Sequence, residues 1–154
     1  MIHEDRAQVV LEELTERSGA LTALVVTKNG IALATAGDTS YLDTTALAAL
    51  IAGMFTATRE VARLVGERRF SILLQQGETR HIHVGLITDT TMLVIVFEDH
   101  QRIGRVRHEA RKAAEQLAAA VVARTEPKSS EQPLGSSEFK EVALNLIDQI
   151  FTTR

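Results

Sequence analysis

The Asn29-Gly30 pair lies between two apolar runs that are rich in valine and alanine. Asn-Gly readily adopts the positive φ angles of a tight turn, so residues 20–27 and 31–36 are predicted to form an antiparallel hairpin. Before this hairpin, residues 4–17 repeat apolar side chains at helical spacing and predict a helix that ends near Gly19. The chain is therefore expected to begin with a helix followed by two paired strands.

A longer helix is predicted next, with Ser40 or Asp43 as its N-terminal cap and Gly66 at its end. Apolar residues at helical spacing predict a third helix over residues 102–123. Between these helices lie three strand-like runs joined by connections of hairpin length: residues 70–75, 80–87 and 92–97. The order helix, strand, strand, helix, strand, strand, strand, helix predicts an α+β fold with helices on a five-stranded antiparallel sheet.

The composition changes after the third helix, which sets the expected end of the folded domain at residue 123. Residues 124–136 contain both prolines of the chain and little that could be buried, and this composition predicts a flexible linker. Residues 137–152 predict an amphipathic helix whose apolar side includes Phe139, Val142, Leu146 and Ile150. Because so short a helix is marginal alone in water, that side should dock on its own domain or on a partner.

The long helix has two unlike sides when its residues are placed on a wheel of about 100° per residue. We predict that one side covers the sheet: Leu47, Leu50, Ile51, Met54, Val61, Ala62 and Val65. The opposite side is small in its first half and charged in its second: Ala49, Ala52, Gly53, Thr56, Arg59, Glu60 and Arg63. A glycine inside a helix costs about 1 kcal/mol relative to alanine, which makes sense where another backbone approaches closely. This side is therefore predicted to contact a partner.

Charge and composition exclude several classes of function. The net charge of −3 gives no long-range attraction to polyanions, so nucleic acid is not expected as a partner. The absence of cysteine excludes disulfides and thiolate sites. No apolar run approaches the roughly 18 residues of a membrane span, and no apolar signal core follows Met1, which predicts a cytoplasmic protein without membrane insertion.

Candidate sites for catalysis or metal binding are weak. The glycine-rich patterns that hold phosphates and dinucleotides are absent, so the chain is not expected to be a nucleotide-binding switch. His81 and His83 alternate on one predicted strand and could hold a metal, but no third ligand is in register. We interpret them as solvated or edge-of-core imidazoles. Asp38, Asp43 and Glu78 lie beside turns and a helix start, where capping explains them. We predict no enzyme activity and no cofactor.

Three segments carry a resemblance to a known family. They are Leu42-Asp43-Thr44-Thr45-Ala46-Leu47-Ala48-Ala49-Leu50-Ile51-Ala52-Gly53, then Leu64-Val65-Gly66-Glu67 with Phe70, and finally Leu93-Val94-Ile95-Val96-Phe97 before a helix. In the order of these segments along residues 4–122, the chain resembles the Roadblock family and, within it, the bacterial MglB type. An extra helix after a proline-bearing linker is also similar to the MglB type.

The resemblance implies profilin-like layers and a homodimer in which the long helices pair and the sheets join through the strand starting near Phe70. It also implies a partner, a small Ras-like GTPase of the MglA type bound as one copy per dimer. The regulator would stimulate hydrolysis by remodelling the switch regions, without an arginine finger, in processes such as cell polarity and motility. By this resemblance, the contact would fall on Ala52, Thr56, Arg59, Glu60 and Arg63. The C-terminal helix would aid nucleotide exchange through Phe139, Val142, Leu146 and Ile150.

Two alternatives stay open at this point. The dimer could be a scaffold that recruits other proteins without changing GTP hydrolysis. It could also be a sensor that binds a small molecule between the sheet and the helices.

Overall fold

The computed structural model describes residues 2–125, with side chains described for residues 6–120. Its elements are α1 (Ile2–Ser18), β1 (Thr22–Thr27), β2 (Ala32–Gly37), α2 (Thr44–Leu64), β3 (Ile72–Gln76), β4 (His81–Thr88), β5 (Thr91–Phe97) and α3 (Ile103–Thr125). A 3₁₀ turn over His100–Arg102 leads into α3. The predicted order of elements is confirmed. Most of the predicted linker and all of the predicted helix at 137–152 lie outside the described residues.

The five strands form one antiparallel sheet in the order β2-β1-β5-β4-β3. This confirms the predicted α+β fold with a five-stranded antiparallel sheet. All seven residues of β5 are buried because helices cover both faces of the sheet at this strand. By contrast, β2 and β3 are the edges, and each pairs with a neighbour on one side only.

The hairpin between β1 and β2 forms around Gly30, whose φ is +82°. The N–H of Gly30 donates to the carbonyl of Thr27, and the N–H of Thr27 donates to the carbonyl of Ile31, both at 2.9 Å. A Cβ at Gly30 would also lie only 2.9 Å from the Cα of Ala49 in α2. Glycine therefore serves both the turn and the close approach of α2.

The core has two layers, one on each side of the sheet. Alternate residues of β5 divide between them: Leu93, Ile95 and Phe97 pack with α1 and α3, whereas Met92 and Val94 pack with α2. The layer under α1 and α3 also holds Leu11, Leu14, Val106 and Leu117. The fold thus has two helices on one face of the sheet and α2 alone on the other.

The predicted sheet-facing side of α2 is confirmed at Leu47, Ile51 and Met54 but is wrong at other positions. Its buried residues are Ala48, Ile51, Ala52 and Phe55. Leu50, Val61 and Val65, which we predicted to face the sheet, are exposed, and Ala52, which we predicted to face outward, is only 6% exposed. The physical reason is that α2 is apolar on two sides, and the side that packs on the sheet combines the small residues Ala48 and Ala52 with Ile51 and Phe55. A wheel centred on Leu50 and Val61 selects the other side.

Candidate partner-binding surface

The exposed side of α2 carries large apolar residues: Leu50, Val61, Leu64 and Val65, which we call the apolar stripe. Leu50, Leu64 and Val65 are between 72% and 80% exposed. After Phe55, no residue of α2 belongs to the core. Because such residues gain nothing from facing water, a contiguous exposed stripe marks an interaction surface.

Ile72 on the edge strand β3 is a further large apolar residue that is exposed. Together, the apolar stripe and Ile72 account for five of the eight exposed large hydrophobic residues of the described chain. The outer side of β3 has no neighbouring strand, and an unpaired edge presents backbone groups that can pair with a second chain. Neither Leu64 nor Ile72 was among the predicted contact residues, although Leu64 lies in a segment that carries the family resemblance. Two sequence signals could have identified them. Leu64 follows Val61 at helical spacing, and Ile72 lies at the start of a strand.

Beside the apolar stripe lies a polar stripe formed by Thr56, Arg59, Glu60 and Arg63, all of which are exposed. The Nε and Nη2 atoms of Arg63 donate to the same oxygen of Glu60, at 3.1 and 2.8 Å. An exposed pair of this kind contributes only about 0.3–0.5 kcal/mol to the helix, so either residue can exchange its partner at little cost. Within the described part of the chain, Arg59 makes no ion pair.

The structure therefore brings together four of the five site residues that we predicted on the long helix. Ala52 is the exception, because its side chain packs in the core under α2 instead of on the outward side. The hydroxyl of Thr56 donates to the backbone carbonyl of Ala52 at 2.9 Å, a bond within the helix. Gly53 is exposed, and a Cβ there would meet no atom within 4 Å from the described residues outside its own stretch of helix. The four site residues predicted on the C-terminal helix lie outside the described residues.

Two of the carboxylates weighed as catalytic groups have local structural roles. Asp43 caps α2 by accepting a hydrogen bond from the N–H of Ala46 at 3.0 Å. Asp38 accepts hydrogen bonds from the hydroxyl and the N–H of Ser40, and these bonds lower the pKa of its carboxyl group. Both observations agree with the predicted capping and turn roles.

The two histidines of β4 are buried, which differs from the solvated or edge-of-core placement that we predicted. His81 and His83 are 3% and 2% exposed, on the face that packs with α1 and α3. The described residues contain no group of three or more histidines and carboxylates that could hold a metal ion. The signal that could have indicated burial is the continuous apolar run from Met92 to Phe97 in β5, the strand that pairs with β4.

Two further observations bear on the alternatives. A groove between α1 and α3, lined by Val10, Leu14 and Lys112 among others, encloses about 10 Å³. This space holds one water molecule at most and gives no support to a small-molecule sensor. Among the helices of residues 2–125, none combines the length and the apolar character needed to cross a bilayer.

Known proteins resemble this chain in sequence and in fold. The Roadblock/LC7 domain matches residues 6–97. The chain is similar to MglB of Myxococcus xanthus, with 28% identity and a TM-score of 0.77 over 83% of this chain and 95% of that chain. It is similar to the gliding protein MglB of Thermus thermophilus, with 32% identity and a TM-score of 0.75 over 80% of this chain and 93% of that chain.

Profilin IA of Acanthamoeba castellanii shares the fold alone, with 17% identity and a TM-score of 0.53 over 73% of this chain and 96% of that chain. This similarity confirms the profilin-like layers. No curated protein matches the sequence significantly. The match to the Roadblock/LC7 domain covers more than half of the chain, and the two MglB structures match 83% and 80% of it. The chain therefore belongs to the Roadblock/LC7 family.

Proposed function

We propose that this protein is a homodimeric regulator of a small Ras-like GTPase of the MglA type, and that it stimulates GTP hydrolysis without an active site of its own. The observation that carries the proposal is the placement of the apolar stripe and the polar stripe side by side on α2, next to an open sheet edge. Similarity to MglB along four fifths of the chain supports the choice of partner. Such a regulator would meet its GTPase in the cytoplasm.

The apolar stripe is proposed as the dimer contact, together with β3. Burying one large aliphatic side chain stabilises an association by about 1.5–3 kcal/mol, so four such residues offer roughly 6–12 kcal/mol before the costs of association. Two copies of β3 running antiparallel would join their sheets and satisfy the open backbone groups. A two-fold axis places the same stripe on both protomers, so apolar residues meet apolar residues.

The polar stripe is proposed as the GTPase contact. Thr56, Arg59, Glu60 and Arg63 offer both signs of charge and a hydroxyl group at the edge of the dimer contact. Arg63 is bound to Glu60, and we do not propose it as an arginine finger. Stimulation would come instead from holding the switch regions of the GTPase so that its own residues position the attacking water.

The direct test is phosphate release by a GTP-loaded MglA-type GTPase with the full chain present at a tenth of the GTPase concentration. We expect the wild-type protein to accelerate release and Thr56→Arg to lose the acceleration. Glu115→Arg is the matched control because Glu115 is exposed on α3, on the opposite face of the sheet, and we expect it to act like the wild type. If the wild type binds the GTPase without accelerating release, the protein is a scaffold and the proposal is wrong.

The segment beyond the described residues is proposed to contact a second surface of the GTPase and to aid nucleotide exchange, through Phe139, Val142, Leu146 and Ile150. The test compares the release of a fluorescent nucleotide in the presence of the full chain and of a chain that ends at Thr125. We expect slower release with the shorter chain while stimulated hydrolysis persists. Equal release with both chains would contradict the role in exchange.

A further inference from the structure

His81 and His83 project from β4 into the core under α3. In the sheet register His81 pairs with Phe97 of β5 and His83 pairs with Ile95, and both of these residues belong to the core layer under α1 and α3. The ring of His81 lies 5.2 Å from that of Phe97 and 5.4 Å from that of His100, measured between centroids. Both histidines are almost completely removed from water.

The hydrogen bonds of these imidazoles are incomplete. Within the described residues, neither ring nitrogen of His83 has a hydrogen-bond partner, and neither has Nδ1 of His81. A neutral imidazole has one donor and one acceptor, whereas a protonated imidazole has two donors and a charge. Protonation would therefore add a second unsatisfied donor and an unpaired charge to a buried position.

The charges around the pair do not compensate an imidazolium. From α3, the guanidinium of Arg107 acts on His83 and opposes its protonation, and in the 3₁₀ turn the ring of His100 lies against that of His81 while Arg102 pairs with Asp99. The cross-strand neighbours on β3 are Leu74 and Gln76, which carry no charge.

The nearest acidic residues in sequence to these histidines are Glu78 and Asp89, which are both exposed, while Glu98 and Asp99 follow the paired strand β5. Glu98 pairs with Arg80 at 3.6 Å, and Asp99 pairs with Arg102 at 3.5 Å. No carboxylate in the described part of the chain forms an ion pair with either histidine of β4. A proton on His81 or His83 would therefore lack a counter-charge.

We propose that His83 forms a proton-sensitive contact between the sheet and α3, which holds while its buried ring is neutral and loosens when that ring binds a proton. Burial, and secondarily Arg107, lowers the pKa of His83. The unfolded chain binds a proton at a pKa of about 6.5, above that of the folded state. The stability from the neutral ring is thus complete above about pH 6.5 and is lost as the pH falls toward the lowered pKa of the folded state.

The test measures urea unfolding of the full chain at about pH 7.5 and about pH 5.5, on either side of the ordinary histidine pKa. We compare wild type, His83→Leu and His108→Gln. Leucine removes the titrating group and keeps an apolar side chain, whereas His108 is an exposed histidine on α3 and provides the control. We expect the folding equilibrium constant of wild type and His108→Gln to fall by up to about tenfold for His83, because pH 5.5 lies about one unit below the ordinary histidine pKa. His83→Leu should fall less.

Equal falls in all three proteins would overturn the proposal. If His83→Leu does not fold, NMR titration of the wild-type histidines decides instead. A His83 signal that titrates below the His108 signal supports the contact, and one that titrates at or above it refutes the contact. Hydrogen exchange at the lower pH should show protection lost first in α3. Uniform loss of protection across α1, α2 and α3 would also refute the proposal.

Discussion

Two substitutions to arginine, one turn apart on α2, separate the core from the partner surface. Ala52 packs with Phe55 and Val94 and is almost wholly buried, whereas Thr56 is exposed on the polar stripe. We therefore expect Ala52→Arg to prevent native folding or to weaken it severely. We expect Thr56→Arg to leave a folded protein that has lost stimulation of its GTPase.

The expected change in the free energy of unfolding depends on how deeply each side chain is buried. Overpacking a core costs about 1–3 kcal/mol, and an unpaired buried charge adds several more, so Ala52→Arg should cost at least about 4 kcal/mol. A stability of about 5–15 kcal/mol is ordinary for a domain, so at least about a quarter of it, and most of it at the lower end of that range, would be lost. Arginine at position 56 is a better helix former than threonine by a few tenths of a kcal/mol and replaces only a bond within the helix. Its net effect should stay within about 0.5 kcal/mol.

Thermal melting followed by circular dichroism tests these values. In a domain of this size, 1 kcal/mol corresponds to roughly 3–5 °C, so Ala52→Arg should melt more than about 12 °C below wild type and Thr56→Arg within about 3 °C. The identical new side chain makes each variant the control for the other. If Ala52→Arg melted like the wild type, Ala52 would not be in the core, and the packing of α2 described above would be refuted.

Three further substitutions test the dimer contact, the core and the hairpin. Leu64→Asp puts a charge in the apolar stripe, and light scattering should return the 16.9 kDa monomer; an unchanged dimer mass would place the contact elsewhere. Phe55→Ala removes a buried ring whose centroid lies 5.4 Å from that of Phe70, and urea unfolding should show a loss of about 3–5 kcal/mol. Gly30→Ala should destabilise the protein by about 1–3 kcal/mol, because its φ is positive and its Cβ would meet Ala49; an unchanged melting temperature would contradict that contact.

The sequence was sufficient for the fold because each element has a local signal. Asn29-Gly30 predicted the hairpin, and the structure shows Gly30 at positive φ in that turn. Asp43 was one of the two predicted caps and is the residue that caps α2. The β5 run Leu93 to Phe97 was continuous and apolar, as expected for a strand that is covered on both faces. These signals depend on residues close in sequence, which is why they could be read without the structure.

Side-chain placement was harder because it depends on residues far apart in sequence. Periodicity identified α2 as a helix but could not decide which of its two apolar sides packs on the sheet. The burial of His81 was missed for a similar reason: its cover comes from Phe97 and from the 3₁₀ turn at His100, neither of which is near it in sequence. In both cases a tertiary contact decides whether the side chain is buried, and a local sequence pattern does not reveal such a contact.

The division of sizes on α2 explains how one helix serves two contacts. Ala48 and Ala52 are small and allow the helix backbone to approach the sheet closely, while Ile51 and Phe55 fill the space on either side. The larger residues of the apolar stripe remain exposed, and their side chains can interdigitate with those of another molecule. In the proposed dimer a second copy of the same stripe would meet this need, because a two-fold axis brings the same apolar residues of both protomers into one contact. Some amphipathic helices have apolar residues on more than one side and bury the side that contains their small residues. In such a helix, the exposed side that carries large apolar residues is predicted to bind a partner.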